Sequence, residues 1–583
     1  HYNNGYKAVK MWEAIMTSLI LTDKEDPHVN VEEFRDRMRD DFICSLGRDY
    51  EDEMADQYNF LIDILIQNDG FKISVLTQLH GLYRIWGHPS VDGIQGIIKL
   101  KQIACQPRGI DLNSVRFISC KWREFLSTSY YNKYGHLPKM KWDNMNPKCY
   151  LRKCLETSKL PDTHHADYNL LDWSDVKFEK TFHIPDRFDF TEMIADKATS
   201  LGLQELKREC ERTGDIGSSA SRSVIMRWIK ERYISPKDFL DRISRHGFPA
   251  DEQVCGVYPK EREGKNEPRL FGLMPLVKRL YIVLTEALLA EYVLPLFPEI
   301  TMTFDSVTLN TKLYHCTKKL NPDVKEKIKG TDIVTNLDFE KWNSFMRKEE
   351  TDLLFSDFDD LFGLDRIFSR SHELFNPCQF YLADGTFTPS FIAGTTKMVE
   401  ELGCWSQHLG GIEGLRQKGW TIFTVVILKY VAALQNARCQ IIGQGDNQVL
   451  ITTYFPQPGI TIKEQHQQFM LKLNNILSSI GPPLKLQESW ASSLFFTYGK
   501  FPIYEGVPQP ASLKKSCRTG RLNNDGVINL DSTISSIAAN ISAAVQCSNC
   551  PIIPYFIGLM ETMAAIRLYI ELPFYGVDSL SHS

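Results

Sequence analysis

Apolar side chains recur at helical spacing through the first part of the chain. Met54, Tyr58, Leu61, Leu65 and Ile66 fall together among acidic residues, and the pattern predicts helix over most of residues 10–86. The run Leu82-Tyr-Arg-Ile-Trp-Gly-His-Pro89 breaks it, because Gly87 and Pro89 disfavour a continuing helix, and predicts a loop or sharp turn. Residues 200–245 return to helical periodicity with many Lys and Arg, a flexible stretch at 214–221 and a short helix begun by Pro236. From about residue 255 the texture changes. Short β-forming runs alternate with long helical patterns through residue 510, which reads as an α/β (α+β) body. Within residues 349–365, Leu353, Leu354, Phe358 and Leu361 predict an amphipathic helix with its acids in solvent rather than a metal site. The longest apolar stretch, residues 420–434, contains Lys429 and is shorter than a bilayer span. It predicts a buried helix, and no membrane insertion is expected. Residues 530–583 read as helical, with a break at Pro551 and Pro554.

Composition changes the picture in two respects. The chain has 583 residues, enough for two to four packed subdomains. Its 67 Lys and Arg against 72 Asp and Glu give a net charge of −5, so no global basicity advertises nucleic acid, and any such site must be a local basic groove in a neutral-to-acidic body. Fourteen cysteines without a regular framework point to free thiols in a reducing compartment. Cys547 and Cys550 have zinc-knuckle spacing but no second pair in suitable context, so they read as structural thiols. The start at His1 and the polar end at residues 579–583 read as an excerpt of a longer protein.

Two carboxylates carry the candidate chemistry. In Cys439-Gln-Ile-Ile-Gly-Gln-Gly-Asp-Asn-Gln-Val-Leu-Ile-Thr-Thr453, two β-forming runs flank Gly and Asx residues suited to a tight hairpin with Asp446 at its tip. A plain surface turn uses the same residue types. Asp332-Ile-Val-Thr-Asn-Leu-Asp-Phe-Glu-Lys-Trp-Asn343 predicts a short strand that delivers Asp338 at its end, with Glu340 just beyond. Nucleotidyl transfer uses two divalent ions, one activating the attacking 3′-hydroxyl and one holding the triphosphate. Hard oxygen ligands on rigid strand ends suit Mg²⁺, which needs few carboxylates, and Asp338 and Asp446 form the candidate metal pair.

Two further segments offer binding groups. In His408-Leu-Gly-Gly-Ile-Glu-Gly-Leu-Arg-Gln-Lys-Gly-Trp420, Gly410, Gly411 and Gly414 would permit close approach of backbone to a ligand, and Arg416 and Lys418 would meet phosphate. Upstream, Lys260-Glu-Arg-Glu-Gly-Lys-Asn-Glu-Pro-Arg-Leu-Phe-Gly-Leu-Met274 places Lys260, Arg262, Lys265 and Arg269 where they could line a nucleotide entry channel. Glu261, Glu263 and Glu267 leave a solvated charged hairpin as the other reading.

The order of these four elements resembles motifs F, A, B and C of the large polymerase protein of nonsegmented negative-strand RNA viruses, most of all the rhabdoviruses. The Gly-Asp-Asn of residues 445–447, in place of the Gly-Asp-Asp common in positive-strand virus polymerases, is characteristic of that group. Leu484-Lys-Leu-Gln-Glu-Ser-Trp490 is similar to motif D and Phe495-Phe-Thr-Tyr-Gly-Lys-Phe-Pro-Ile-Tyr-Glu-Gly506 to motif E. Trp86-Gly-His-Pro89 with Val91, Asp92 and Gly96 matches a further signature, so the resemblance runs from about residue 80 to at least residue 525.

What the resemblance implies is specific. The fold would be a right hand of fingers, palm and thumb behind a helical N-terminal region, divided here as residues 1–250, a fingers–palm core at 251–510 and a thumb-like region at 511–583. Asp338 and Asp446 would be the metal aspartates, with Asn447 beside them adding no charge. Gly410, Gly411 and Glu413 would support template and nucleotide, and Arg262, Lys265 and Arg269 would neutralise triphosphate. Lys485 lies where some polymerases keep a lysine that protonates pyrophosphate, a surface lysine being the other reading. Trp342 and Asn343 would meet the incoming ribose. The cofactor would be Mg²⁺, with Mn²⁺ as an alternative. The partners would be nucleoprotein-coated RNA template, ribonucleoside triphosphates and a viral phosphoprotein, in virion and host cytoplasm or in the nucleus. No Gly-x-x-Thr with His-Arg constellation of the capping kind occurs, so these residues would polymerise RNA without capping it. A reverse transcriptase would share the two aspartates, though not the basic segment or the Gly-Asp-Asn context. A catalytically silent, RNA- or phosphoprotein-binding remnant would not need both aspartates.

Overall fold

A computed structural model describes residues 2–22, 31–46, 73–85, 89–188, 198–217, 222–230, 235–260, 265–317, 330–435, 437–486, 488–499, 501–505, 507–517, 519, 530–548 and 550–571, and a few positions between 56 and 64. Met54, Tyr58, Leu61, Leu65, Ile66, Trp86, Gly87, His88 and Arg262 lie outside the described residues.

The central sheet follows from alternation along three strands. Strands β3 (Thr331–Leu337), β6 (Arg438–Gln444), β7 (Asn447–Tyr454) and β8 (Trp490–Ser492) form an antiparallel sheet in the order β8-β3-β7-β6. Ile333, Leu337, Ile441 and Leu450 join the large core on one face, while Val334, Ile442, Val449 and Ile451 pack with Phe496, Tyr498 and Ile503 on the other. Burial on both faces explains the consecutive apolar residues Ile333-Val334, Ile441-Ile442 and Val449-Leu450-Ile451. A second sheet combines the β1 (Val254–Pro259) and β2 (Leu270–Leu273) hairpin with β4 (Gln379–Leu382) and β5 (Cys404–Trp405), in the order β2-β1-β4-β5. Only the β1–β4 pairing is parallel.

Six helices bear on the site: α1 (Gly93–Ala104), α2 (Leu112–Tyr134), α3 (Leu276–Leu288), α4 (Lys348–Phe362), α5 (Gln417–Leu434) and α6 (Ile462–Ser479). Helix α5 is buried almost throughout, as its apolar sequence predicts, and Lys429 reaches Glu299 at 2.5 Å. Helix α4 forms where expected, but three of its acids, Glu350, Asp357 and Asp359, are buried rather than in solvent. Glu350 pairs with Arg108 at 3.1 Å, and Asp357 with Arg123 at 2.9 Å. Asp359 accepts from the backbone N–H groups of Ile367, Phe368 and Ser369. The partners come from distant segments, which a periodicity argument does not see. Among the described residues, Ile552–Ile570 is long and apolar enough to cross a membrane by length and composition, and Ile552, Tyr555 and Phe556 on it are exposed.

Candidate active site

The β6–β7 hairpin closes on the pair Gln444–Asn447, leaving Gly445 and Asp446 as a two-residue turn. Gly445 has φ +60°, the left-handed first position that such a hairpin reserves for glycine. The turn is anchored from below: the Gly445 N–H donates to Thr421 Oγ1 of α5 at 3.1 Å, and Gln448 Nε2 donates to the Gly445 carbonyl at 2.8 Å. Asp446 and Asn447 are exposed, and Asn447 Nδ2 donates to Asp446 Oδ1 at 3.3 Å.

The neighbouring strand delivers the second aspartate to the same end of the sheet. Leu337, the last residue of β3, pairs with Gln448, so Asp338 leaves the strand level with Asn447 and next to the turn that carries Asp446. The Asp338 N–H donates to Ser489 Oγ at 3.0 Å, and the Lys485 N–H donates to the Asp338 carbonyl at 2.9 Å. Lys485 Nζ lies 3.0 Å from Asp338 Oδ2 and 3.4 Å from Glu488 Oε1. Burial raises the Asp338 carboxyl above the usual carboxylate range, with the Lys485 ammonium opposing that shift. Lys485 is therefore a partner of Asp338, at a position still partly open to solvent.

The turn after Asp338 is fixed to α5. Lys341 sits in the left-handed region at φ +42° and starts the short helix Trp342–Phe345. Trp342 Nε1 donates to Thr424 Oγ1 at 3.1 Å, and Gln417 Nε2 donates to Asn343 Oδ1 at 3.0 Å. Asn343 and Trp342 are held from one helix that also holds Gly445.

Two expectations for the glycine loop are corrected. At Gly410 a Cβ would overlap the Ser344 carbonyl oxygen, and at Gly411 it would overlap the Trp420 ring. These glycines seat the loop against protein rather than leaving space for a ligand; the Gly411 N–H donates to the Asn343 carbonyl at 3.0 Å. Arg416 does not face phosphate. It is buried, donating to Ser371 Oγ, Thr285 Oγ1 and Tyr281 Oη, with Glu286 at 3.6 Å. Glu413 turns toward the β1–β2 hairpin, where Arg269 Nη1 lies 2.7 Å and Lys260 Nζ 3.8 Å from its Oε1. The basic hairpin and the glycine loop are thus joined, with Lys260 and Arg269 gathered on one carboxylate. Lys265 is half-buried on the same hairpin.

Sequence reasoning missed the residues that tie these parts together. Asp92 caps α1 by accepting from the Ile94 and Gln95 N–H groups, Gly96 packs against Pro268, and Lys99 pairs with Glu267 at 2.8 Å. At the other end of α1, the Ala104 carbonyl accepts from the Leu409 and Gly410 N–H groups. Buried Arg347 donates to the carbonyls of Ser344 and Met346 on one side and of Ile103 and Gln106 on the other. Arg108 donates to Gly481 and Ser478 at the end of α6. The signature from Trp86 to Gly96 marked this region without indicating its task; for Arg347 the sequence carried no signal.

Two buried histidines lie under the glycine loop. Burial lowers both His372 and His408 to about 3. A base whose folded pKa is depressed contributes stability above its unfolded value near 6.5 and loses it as pH falls toward 3. At pH 5 each histidine then costs ~2 kcal/mol of folding stability. Glu350, raised by burial to about 7, acts in the opposite sense as pH falls. His408→Asn should therefore flatten the loss of stability between pH 7 and pH 5, measured by chemical denaturation at both pH values. An unchanged slope would show that His408 is not held neutral.

With this geometry in hand, comparison with known proteins is decisive. The profile of the Mononegavirales RNA dependent RNA polymerase family matches residues 1–574. The chain belongs to this family. It is 33% identical over 574 residues to the RNA-directed RNA polymerase L of Lettuce necrotic yellows virus, covering 96% of this chain and 27% of that protein. It is 30% identical over 606 residues to the polymerase L of Sonchus yellow net virus, covering 98% of this chain and 28% of that one. Against the large structural protein of Rabies virus (strain Nishigahara RCEH) it is 29% identical over 590 residues, covering 97% of this chain and 27% of that protein. The chain thus spans about a quarter of the length of these relatives.

Proposed function

We propose that this chain is the polymerising part of an RNA-directed RNA polymerase, joining ribonucleotides to an RNA 3′-hydroxyl under template direction by a two-metal mechanism. The observation that carries the reading is the delivery of Asp338 and Asp446 to one end of adjacent antiparallel strands, on a turn and a strand end fixed by α5. The β8-β3-β7-β6 sheet is then the palm of a right hand, and the β1–β2 hairpin belongs to its fingers.

The donor set fits Mg²⁺, or Mn²⁺ in its place. Among the described residues no cluster of three or more His, Cys, Asp or Glu side chains could hold a metal ion. Two carboxylates nonetheless suffice for Mg²⁺, which fills its remaining positions with water and substrate phosphate. The Lys485 ammonium already lies 3.0 Å from Asp338 Oδ2, and positive charge beside that carboxylate supports the reading. Bound divalent ions would activate the 3′-hydroxyl and neutralise the triphosphate. The chain's own residues position the reactants. Asn447 flanks Asp446 without adding charge, and Asn343, clamped by Gln417, is presented toward the ribose. Arg269 and Lys260 exchange part of their interaction with Glu413 for triphosphate oxygens. Nucleoprotein-coated RNA and a phosphoprotein are the partners this reading implies.

The test is template-directed nucleotide incorporation by the full-length protein with its phosphoprotein. Arg269→Ala should raise KM for nucleotide about tenfold, the equivalent of one charge-assisted contact, with the thermal midpoint unchanged. Unaltered KM would remove Arg269 from the triphosphate path.

A further inference from the structure

The Lys485 ammonium rests on the carboxylate that the proposed reaction reserves for a divalent cation, and it has a second acceptor at hand. We propose that Lys485 is a resident counter-ion of Asp338, and that cation loading displaces its ammonium from Asp338 to Glu488. This inference rests on the two-metal reading and adds a gate to it.

Four observations support the displacement. The ammonium stands 3.0 Å from Asp338 Oδ2 and 3.4 Å from Glu488 Oε1, so it exchanges acceptors with a small side-chain movement. The backbone need not move. The Lys485 N–H is bonded to the Asp338 carbonyl at 2.9 Å, Leu484 bridges Phe339, and the Glu488 N–H donates to the Lys485 carbonyl at 3.1 Å. Both partners are partly open to solvent, the Lys485 side chain 37% and the Asp338 side chain 42% exposed. A half-exposed pair of single charges is weak, and a divalent ion at the same distance attracts a carboxylate about twice as strongly. Arg123 and Asp357 show the contrast: with side chains 13% and 2% exposed and two hydrogen bonds, that pair is built to stay closed.

The gate has a chemical consequence. While no cation is bound, the palm carries a neutralised aspartate rather than an open carboxylate. Once a cation arrives, Lys485 is left on Glu488 at the edge of the site, still within one side-chain movement of Asp338.

The experiment measures Mn²⁺ binding to the full-length protein by electron paramagnetic resonance, without RNA or nucleotide. Lys485→Met should bind Mn²⁺ about fivefold more tightly than wild type, because the competing charge is gone. Glu488→Gln should bind more weakly, because the displaced ammonium has lost its acceptor. In the Lys485→Met background the same Glu488→Gln change should have a much smaller effect, and this non-additivity separates displacement from the general field of nearby charges. Lys485→Gln, with thermal midpoints for every variant, guards against a folding defect in the methionine variant. Equal Mn²⁺ affinity in wild type, Lys485→Met and Lys485→Gln would overturn the gate, as would fully additive effects of the two substitutions. If Asp338→Ala and Asp446→Ala leave Mn²⁺ binding unchanged, the metal reading itself falls, an outcome distinct from failure of the gate.

Discussion

Asp446→Asn should abolish RNA synthesis and leave the β6–β7 hairpin folded. The fold is spared because the turn is held by its neighbours: Gly445 supplies the left-handed position, Thr421 and Gln448 bond to Gly445, and Asp446 is exposed. Asparagine is nearly isosteric and equally suited to a turn. Chemistry is not spared. A pair of unit charges at 4 Å is worth about 4 kcal/mol at an effective dielectric near 20, and a divalent ion roughly doubles that before desolvation is deducted. Loss of even a quarter of this from the transition state lowers the rate more than tenfold. On the two-metal reading, the neighbouring Asn447→Asp would instead add charge beside ions already supplied with ligands, so it should reduce activity without abolishing it and shift the Mg²⁺/Mn²⁺ preference. Both are measured as nucleotide incorporation by the full-length protein. Near-normal synthesis by Asp446→Asn would refute the mechanism.

The legible part of this site is the part encoded locally. A hairpin declared by Gly445, Asp446 and Asn447 between β-forming runs, and a strand ending at Asp338, need only a few residues to specify them, and both stand where the sequence places them. Helix α5 is equally plain, because burial on nearly every side leaves a mostly apolar run broken by few polar residues. What escaped depends on partners far along the chain. Arg416 reads as a phosphate ligand until Tyr281, Thr285 and Glu286 of α3 are seen around it. The acids of α4 read as solvated until Arg108 and Arg123 arrive from segments more than two hundred residues earlier. A buried arginine and an exposed one have the same letter, and only tertiary packing decides which is meant. The glycine loop failed for a related reason: a missing Cβ makes room, but sequence does not say for what.

At Gly411 the occupant of that room is Trp420, which makes the position a sharp test of how the loop is built. A Cβ there would overlap Trp420 Cη2 and stand 2.8 Å from the Asn343 carbonyl oxygen. Neither neighbour can yield easily. Trp420 is buried among the rings of Trp342, His372 and Phe375, and the Asn343 carbonyl already accepts the Gly411 N–H. Gly411 does not have the positive φ seen at Gly414, so backbone conformation is no obstacle and the penalty of alanine is one of space alone. Overpacking of a closed core costs ~1–3 kcal/mol, and here the strain falls on the turn that carries Asn343. Gly411→Ala should therefore lower the denaturation midpoint by the equivalent of ~3 kcal/mol and depress nucleotide incorporation in the fraction that folds. Gly414→Ala meets only Phe271, at 3.6 Å, so its penalty is the left-handed backbone, ~1 kcal/mol. The second-site change Trp420→Phe should partly restore Gly411→Ala. It withdraws the far edge of the indole and removes an indole N–H that is buried without a hydrogen-bond partner. Equal midpoints for Gly411→Ala and wild type, or no recovery in the double variant, would show that the loop is not seated on Trp420.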